Sequence, residues 1–248
     1  MAFASLRRLS FFFFVYVFRP KSSIYRCKIK EHPRFSRVCI VAATAFEIFI
    51  LTAYLLFGSN QVGIATANYN SGSWDGHSIV NTYEVGGENA QQYAELAKAM
   101  AHGQLYLEEK PPQWLQEMEN PYDKGARDEL QKQTGEAYLF DVAYYEGHYY
   151  VYFGVLPVLL FYLPFYLLTV SSFPTAIGVL IACIAFVLGI TALMDRFARY
   201  HFKRVSLGLF LLLQIPLVGC SGMLYLAKFP TFYSLPIALA LAFSGVGL

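Results

Sequence analysis

The side chains able to do polar chemistry are gathered in one stretch. Nearly all carboxylates lie between Asp75 and Glu146, while most arginines and lysines fall before Val38 or between Arg196 and Arg204. A carboxylate close to an attacking hydroxyl serves as a general base. A guanidinium pairs bidentately with phosphate, and Arg127, or Arg196 and Arg199 if their segment shares the same side, could supply that charge. A carboxylate could alternatively hold a divalent cation that shields a phosphate. The chain contains no phosphate-cradling glycine loop, no HExxH and no GxSxG. His77, His102 and His148 read as surface residues. Cys27, Cys39, Cys183 and Cys220 lie outside the acidic stretch, which argues against a disulfide framework or a zinc site.

The elements that must position these groups are apolar. Of the 248 residues, 56% are hydrophobic, 17% aromatic and only 15% charged, against a usual charged share of about 25%. Several apolar runs reach the roughly 20 residues that a helix needs to cross a bilayer. No basic face accompanies the polar region, which excludes a nucleic-acid partner. The expected fold class is mostly α, with about five transmembrane helices and a small helical extracytoplasmic loop subdomain after the first span.

In chain order, residues 1–37 form a basic cytoplasmic segment. Phe11–Phe18 is too short to span, and no small-residue cleavage site follows it. Arg26, Lys28, Lys30, Arg34 and Arg37 suit anionic lipid, or else a mobile tail. Val38–Phe57 is the first span within 38–58, with its N-terminus placed inside by the positive-inside rule. Glu47 near its middle is expected to face other helices or to stay protonated.

Residues 59–149 form the loop subdomain. Asn89–His102 is its clearest helix, capped by Asn89 with Gln92 and ended by Gly103; Tyr93, Leu96, Ala97 and Met100 share one face. Such a helix could rest on the membrane surface. Trp114–Met118 makes a short turn, Asp123 caps a further helix to about Lys132, and Glu146-Gly147 allows a hairpin between Phe140–Tyr145 and His148–Tyr152. Tyrosines around 144–152 suit the headgroup layer.

Residues 150–248 are expected to hold spans two to five: Tyr150–Val170, bent by Pro157 and Pro164; Ala176–Met194; Val205–Tyr225, broken at Pro216; and one beginning at Phe232. The run to Leu248 reads as a fragment of a longer protein. Alternation then places Asp195–Arg204 outside, although its arginines favour the inside. Either a pair of short, bent segments fails to span, or these arginines serve an external anion.

Three stretches carry a family likeness: Glu88–Leu107 (ENAQQYAELAKAMAHGQLYL), Asn120–Arg127 (NPYDKGAR) with Tyr144–Thr169, and Lys228–Phe243 (KFPTFYSLPIALALAF). Together they resemble the GT-C superfamily of membrane glycosyltransferases, which includes protein mannosyltransferases and aminoarabinose transferases, in an uncharacterised bacterial branch. The resemblance implies a plasma-membrane enzyme that moves a sugar from a polyprenyl-phosphate donor to an extracytoplasmic acceptor. The family's first-loop acid is its usual base. The matching position here is Asn89, whose amide cannot accept a proton, with Glu88 beside it. The expected base is therefore Glu88, Asp141 or Asp123, unless this branch does different chemistry. Arg127, Arg196 and Arg199 are the expected phosphate ligands. Asp123 would equally serve as a helix cap and Asp141 as a hairpin pin. The alternative function is a non-catalytic transporter component or assembly scaffold, with Glu47 and the proline-broken helices lining a path.

Overall fold

The computed structural model describes residues 24–58, 92–139, 141–202 and 204–247, and its architecture is mostly helical. Glu88, Asn89 and the 68–76 loop lie outside the described residues. Helix α1 is Pro33–Ala53, continued by a π turn at Tyr54–Gly58. α2 is Gln92–Ala101, α3 is Gln113–Glu117 and α4 is Lys124–Thr134. Strands β1 (Ala143–Tyr145) and β2 (His148–Tyr150) form an antiparallel hairpin with Tyr144 opposite Tyr149. α5, Leu163–Thr169, is entered through a π turn at Val158–Tyr162. α6 (Thr175–His201), α7 (Leu207–Gly219), α8 (Met223–Lys228) and α9 (Ser234–Gly247) complete the described chain.

Two of these helices, Pro33–Phe57 including the π turn and α6, are long and apolar enough to cross a bilayer. Their hydroxyls are satisfied locally: Ser36, Thr44 and Thr52 each donate to the carbonyl one turn back, at 2.8, 2.9 and 2.8 Å. Such back-bonding lets a hydroxyl sit in an apolar helix without a free donor. Large apolar side chains stay outward along these elements, including Val41, Phe46 and Phe49 on α1 and Leu212 and Ile215 on α7.

The expected second span, Tyr150–Val170, is helical only in part. Its helix covers only Val158–Thr169, about 18 Å at 1.5 Å per residue, against a hydrocarbon core of about 30 Å. Gly154 at φ 91° holds the residues before it out of the helix, and Pro157, with helical φ/ψ, sits in the first turn, where its missing N–H costs nothing. Val170, left-handed at φ 55°, then ends α5 and turns the chain into α6. The segment Asp195–Arg204 also differs from its expected form as a loop on the far side. It stays helical to His201, and it lies beside residues 24–32. Ile29 N–H donates to Val205 O (3.1 Å), Leu207 N–H to Cys27 O (2.8 Å) and Gly208 N–H to Ile24 O (3.1 Å). Both basic segments therefore occupy one end of the bundle, here called the basic end, and the hairpin and α2–α5 the other. The shared end, together with the shortness of Val158–Thr169, agrees with the expectation that short, bent segments do not span fully rather than with arginines on the far side.

The break expected at Pro216 falls later. Pro216 is inside α7, and the chain bends at Cys220–Gly222, where Gly222 takes φ 88°. α9 then runs parallel to α6: Leu235 faces Gly178, and Gly245 faces Gly189. Small residues permit this close approach of backbones. A Cβ on Gly189 would lie 2.8 Å from the Gly245 backbone, whereas one on Gly178 would meet only side-chain ends of Leu235 and Phe173.

The loop subdomain is seated on the bundle. Tyr93, Leu96, Leu107, Leu115 and Tyr149 share one buried cluster with Leu51, Leu55, Val158, Tyr162 and Phe232. α2 buries Tyr93, Leu96 and Ala97, the face expected from its periodicity, but it covers α5 and its π turn rather than lying alone. A second cluster, Ile29, Ile40, Ala198, Leu207 and Phe210, forms the basic end.

Gly189→Ala should force α6 and α9 apart and destabilise the protein by about 1–3 kcal/mol, while Gly178→Ala should cost less. Thermal unfolding of both variants in detergent checks this ordering.

Candidate functional site

The hairpin turn places both Glu146 (φ 48°) and Gly147 (φ 77°) in the left-handed region, as a two-residue type I′ turn requires. This aims the strands' tyrosines at α2 and the segment after α2. Leu107 N–H donates to Tyr149 O at 2.9 Å. The Tyr149 ring is buried, and burial pushes its hydroxyl up to about 12. Burial likewise pushes the Tyr93 hydroxyl above its ordinary range.

Asp141 sits two residues before β1 with φ 56°, a conformation that aspartate tolerates better than most side chains. Its carboxylate accepts from the Tyr152 hydroxyl at 3.3 Å and from the Tyr233 hydroxyl at close range. Tyr152 follows β2, and Tyr233 immediately precedes α9. Asp141 thus lies on the seam where the hairpin meets the end of the bundle. Phe153 packs against Tyr233 (5.0 Å between centroids) and Phe232 (5.7 Å), and Phe232 against Tyr93 (6.2 Å). Burial first, and then the Asp141 charge, push the Tyr152 hydroxyl upward, so it remains a donor.

The other expected residues are divided. Asp123 caps α4, accepting from Gly125 N–H (2.9 Å) and Ala126 N–H (3.2 Å). Arg127, one turn on, lies 4.9 Å over the Tyr138 ring, and its buried Nε has no hydrogen-bond partner. Arg196 and Arg199 stand at the basic end, away from Asp141. Arg199 Nε donates to both oxygens of Asp195 at 2.8 Å, and its Nη1 to Ile29 O at 3.3 Å. Of the six expected residues, the structure holds Asp123, Arg127 and Asp141 in the loop subdomain, separates Arg196 and Arg199 from them, and does not describe Glu88.

Two groups went unread in the sequence. The first is a pocket of about 160 Å³ between α2 and α5, lined by Glu95, Lys98, Tyr166, Ser171, Ser172 and Phe173. Burial, reinforced by Glu109, pushes the Glu95 carboxyl up. Beside it Lys98 and His102 both engage Glu108, at 2.5 and 2.8 Å, and those hydrogen bonds hold the Glu108 carboxyl down. The signal available was Glu95 bordering the apolar stripe of α2. The second is Gln214 on α7. Its Nε2 lies 2.8 Å from Glu47 Oε2, 3.1 Å from Thr44 Oγ1 and 3.4 Å from Thr191 Oγ1, and its Oε1 is buried without a partner. Glu47 does face other helices, as its placement in an apolar span demands. Among the described residues no group of three or more His, Cys, Asp or Glu side chains is assembled to hold a metal.

No protein family, curated protein or solved structure matches the chain.

Glu95 gives a pH prediction. A carboxyl raised in the folded state makes stability fall as pH climbs from the ordinary glutamate value of about 4.3 through the raised one. Glu95→Gln should therefore stabilise the protein at pH 7 and have little effect at pH 4. Melting temperatures of both proteins at the two pH values check the sign.

Proposed function

We propose that this chain belongs to a multi-pass membrane protein with a cytoplasmic N-terminus, and that its seated subdomain transfers a sugar from a polyprenyl-phosphate donor to an acceptor outside the cytoplasm. The observation that carries the reading is Asp141, a carboxylate fixed by two tyrosine hydroxyls at the seam between subdomain and bundle. A base at that level can meet both a water-borne acceptor and a lipid-borne donor. The apolar outward faces of α1, α6 and α7 support a lipid setting. Gathering both basic segments at one end supports the orientation, because the positive-inside rule then applies to them together.

In this mechanism Asp141 takes the proton of the acceptor hydroxyl as its oxygen bonds to the sugar's anomeric carbon. The bond from that carbon to the phosphate oxygen breaks, and its electron pair leaves with the phosphate. Arg127 is the cation in the same subdomain available to the leaving group. Tyr152 and Tyr233 are positioning residues that hold the carboxylate. Among the described residues Asp141 is a single carboxylate among aromatic rings, which does not make the oxygen shell that a divalent cation needs, and no step is assigned to a metal.

A second reading, a non-catalytic transporter component or scaffold, is favoured by the Glu47–Gln214 contact, a partly buried polar link of the kind that lines membrane paths.

Transfer of radiolabelled sugar from lipid-linked donors by the protein in membranes separates the two. Asp141→Asn should lower transfer by about 10²–10⁴-fold, and Tyr233→Phe by less. Transfer unchanged in Asp141→Asn would remove Asp141 as the base; absence of transfer from every donor would favour the second reading.

A further inference from the structure

A groove of about 370 Å³ runs between α1 and α6 in the half of the bundle next to the basic end. Ile40, Val41, Ile48 and Leu188 form its walls, and Thr44 and Thr191 its floor. Arg37 and Asp195 stand at its end. We propose that this groove holds one acyl chain of an anionic glycerophospholipid, with the lipid phosphate on Arg37. The proposal rests on the reading that α1 and α6 cross a bilayer, and not on the assignment of Asp141.

Length comes first. Arg37 to Ile48 is about 16 Å of helix at 1.5 Å per residue, close to the roughly 15 Å depth of one hydrocarbon leaflet. Cross-section comes next. A helix about 10 Å across would need roughly 1,200 Å³ over that length, several times what the groove offers. A single hydrocarbon chain is the slimmer occupant.

The floor also favours an apolar tenant. The Thr44 hydroxyl donates to Ile40 O at 2.9 Å and receives Gln214 Nε2 at 3.1 Å, and Thr191 receives the same nitrogen at 3.4 Å. These hydroxyls are turned to the protein's own partners.

Charge selects the headgroup. Asp195 is neutralised by Arg199, which holds both of its oxygens. Arg37 is exposed and has no ion-pair partner among the described residues. Arg34 lies three residues earlier on the same helix face, and Arg196 is exposed next to Asp195. The groove therefore ends in unspent positive charge at the depth where a phospholipid carries its phosphate.

The test is native mass spectrometry of the full chain released from detergent micelles containing equal phosphatidylglycerol and phosphatidylcholine. One phosphatidylglycerol should be retained in preference. Arg37→Ala should cut that preference about fivefold, the effect of one basic side chain at an anionic surface, while Arg37→Lys keeps most of it. Ala192→Phe, or Ala45→Phe on the facing wall, replaces a small exposed groove residue and should abolish retention of both lipids. Equal retention of the two lipids, an unaffected Arg37→Ala, or retention despite both filled grooves would overturn the proposal. Alkaline carbonate extraction distinguishes the underlying reading: a chain that stays in the membrane yet retains no lipid defeats the groove alone, and a chain that washes out defeats the membrane reading itself.

Discussion

Three backbone hydrogen bonds hold the arrangement: Ile29 to Val205, Leu207 to Cys27 and Gly208 to Ile24. They join the segment before the first long helix to the start of α7, more than 170 residues further along the chain. Each contributes only about 1 kcal/mol net, but breaking them would leave polar groups unpaired beside the Ile29–Phe210 cluster, which costs more. The Tyr25 ring closes over Gly208 so tightly that a Cβ there would sit 2.7 Å from the ring. With this clamp closed, α1 leaves the basic end and α6 must return to it. The described chain between them starts and finishes at the far end, and it holds no helix long enough to cross a bilayer.

The short α5 fits that arrangement. It turns back beneath α2 and becomes part of the platform for the loop subdomain, with Tyr162 packed against Tyr93 at 5.6 Å. The same geometry decides where Asp141 can act. Its partner Tyr233 is delivered by the turn from α8 to α9, and α9 is placed by its close packing on α6. The clamp at one end thus sets the direction of α6, and α6 carries the partner of the candidate base at the other end. Arg199 belongs to the clamp, while Arg196 stands exposed beside it. Arg199 ties Asp195 to Ile29, a structural task far from Asp141.

Local signals in the sequence read well where one residue type controls the geometry. Gly103 ends α2, Asp123 caps α4, and Glu146-Gly147 makes the hairpin turn. The apolar face of α2 followed from periodicity, and hydropathy located α1 and α6, although α1 begins earlier than Val38 and α6 runs past Met194 to His201. Failure came where composition and backbone geometry disagree. Residues 150–170 are apolar enough to span, yet the left-handed backbone at Gly154 withholds the first turns of helix. Counting spans by alternation then carried Asp195–Arg204 to the wrong end, while the charge rule had pointed to the other side. Gln214 was illegible for a different reason. A glutamine in an apolar helix has meaning only once Glu47, Thr44 and Thr191 are brought to it from two other helices. Asp123 is claimed by backbone N–H groups, as its place before α4 foretold, whereas the tyrosine hydroxyls that converge on Asp141 come from separate elements and could not be read locally.

The most direct measurement is a disulfide across the clamp. Lys28 and Ser206 are antiparallel bridge partners, so their Cα atoms lie within the roughly 4.4–6.8 Å that a disulfide spans. In a background lacking the four native cysteines, Lys28→Cys with Ser206→Cys should crosslink within single chains under mild oxidation, in intact membranes. If positions 28 and 206 instead stood at opposite ends of the bundle, as alternation of five full spans would require, no intrachain crosslink could form, and its absence would contradict the account.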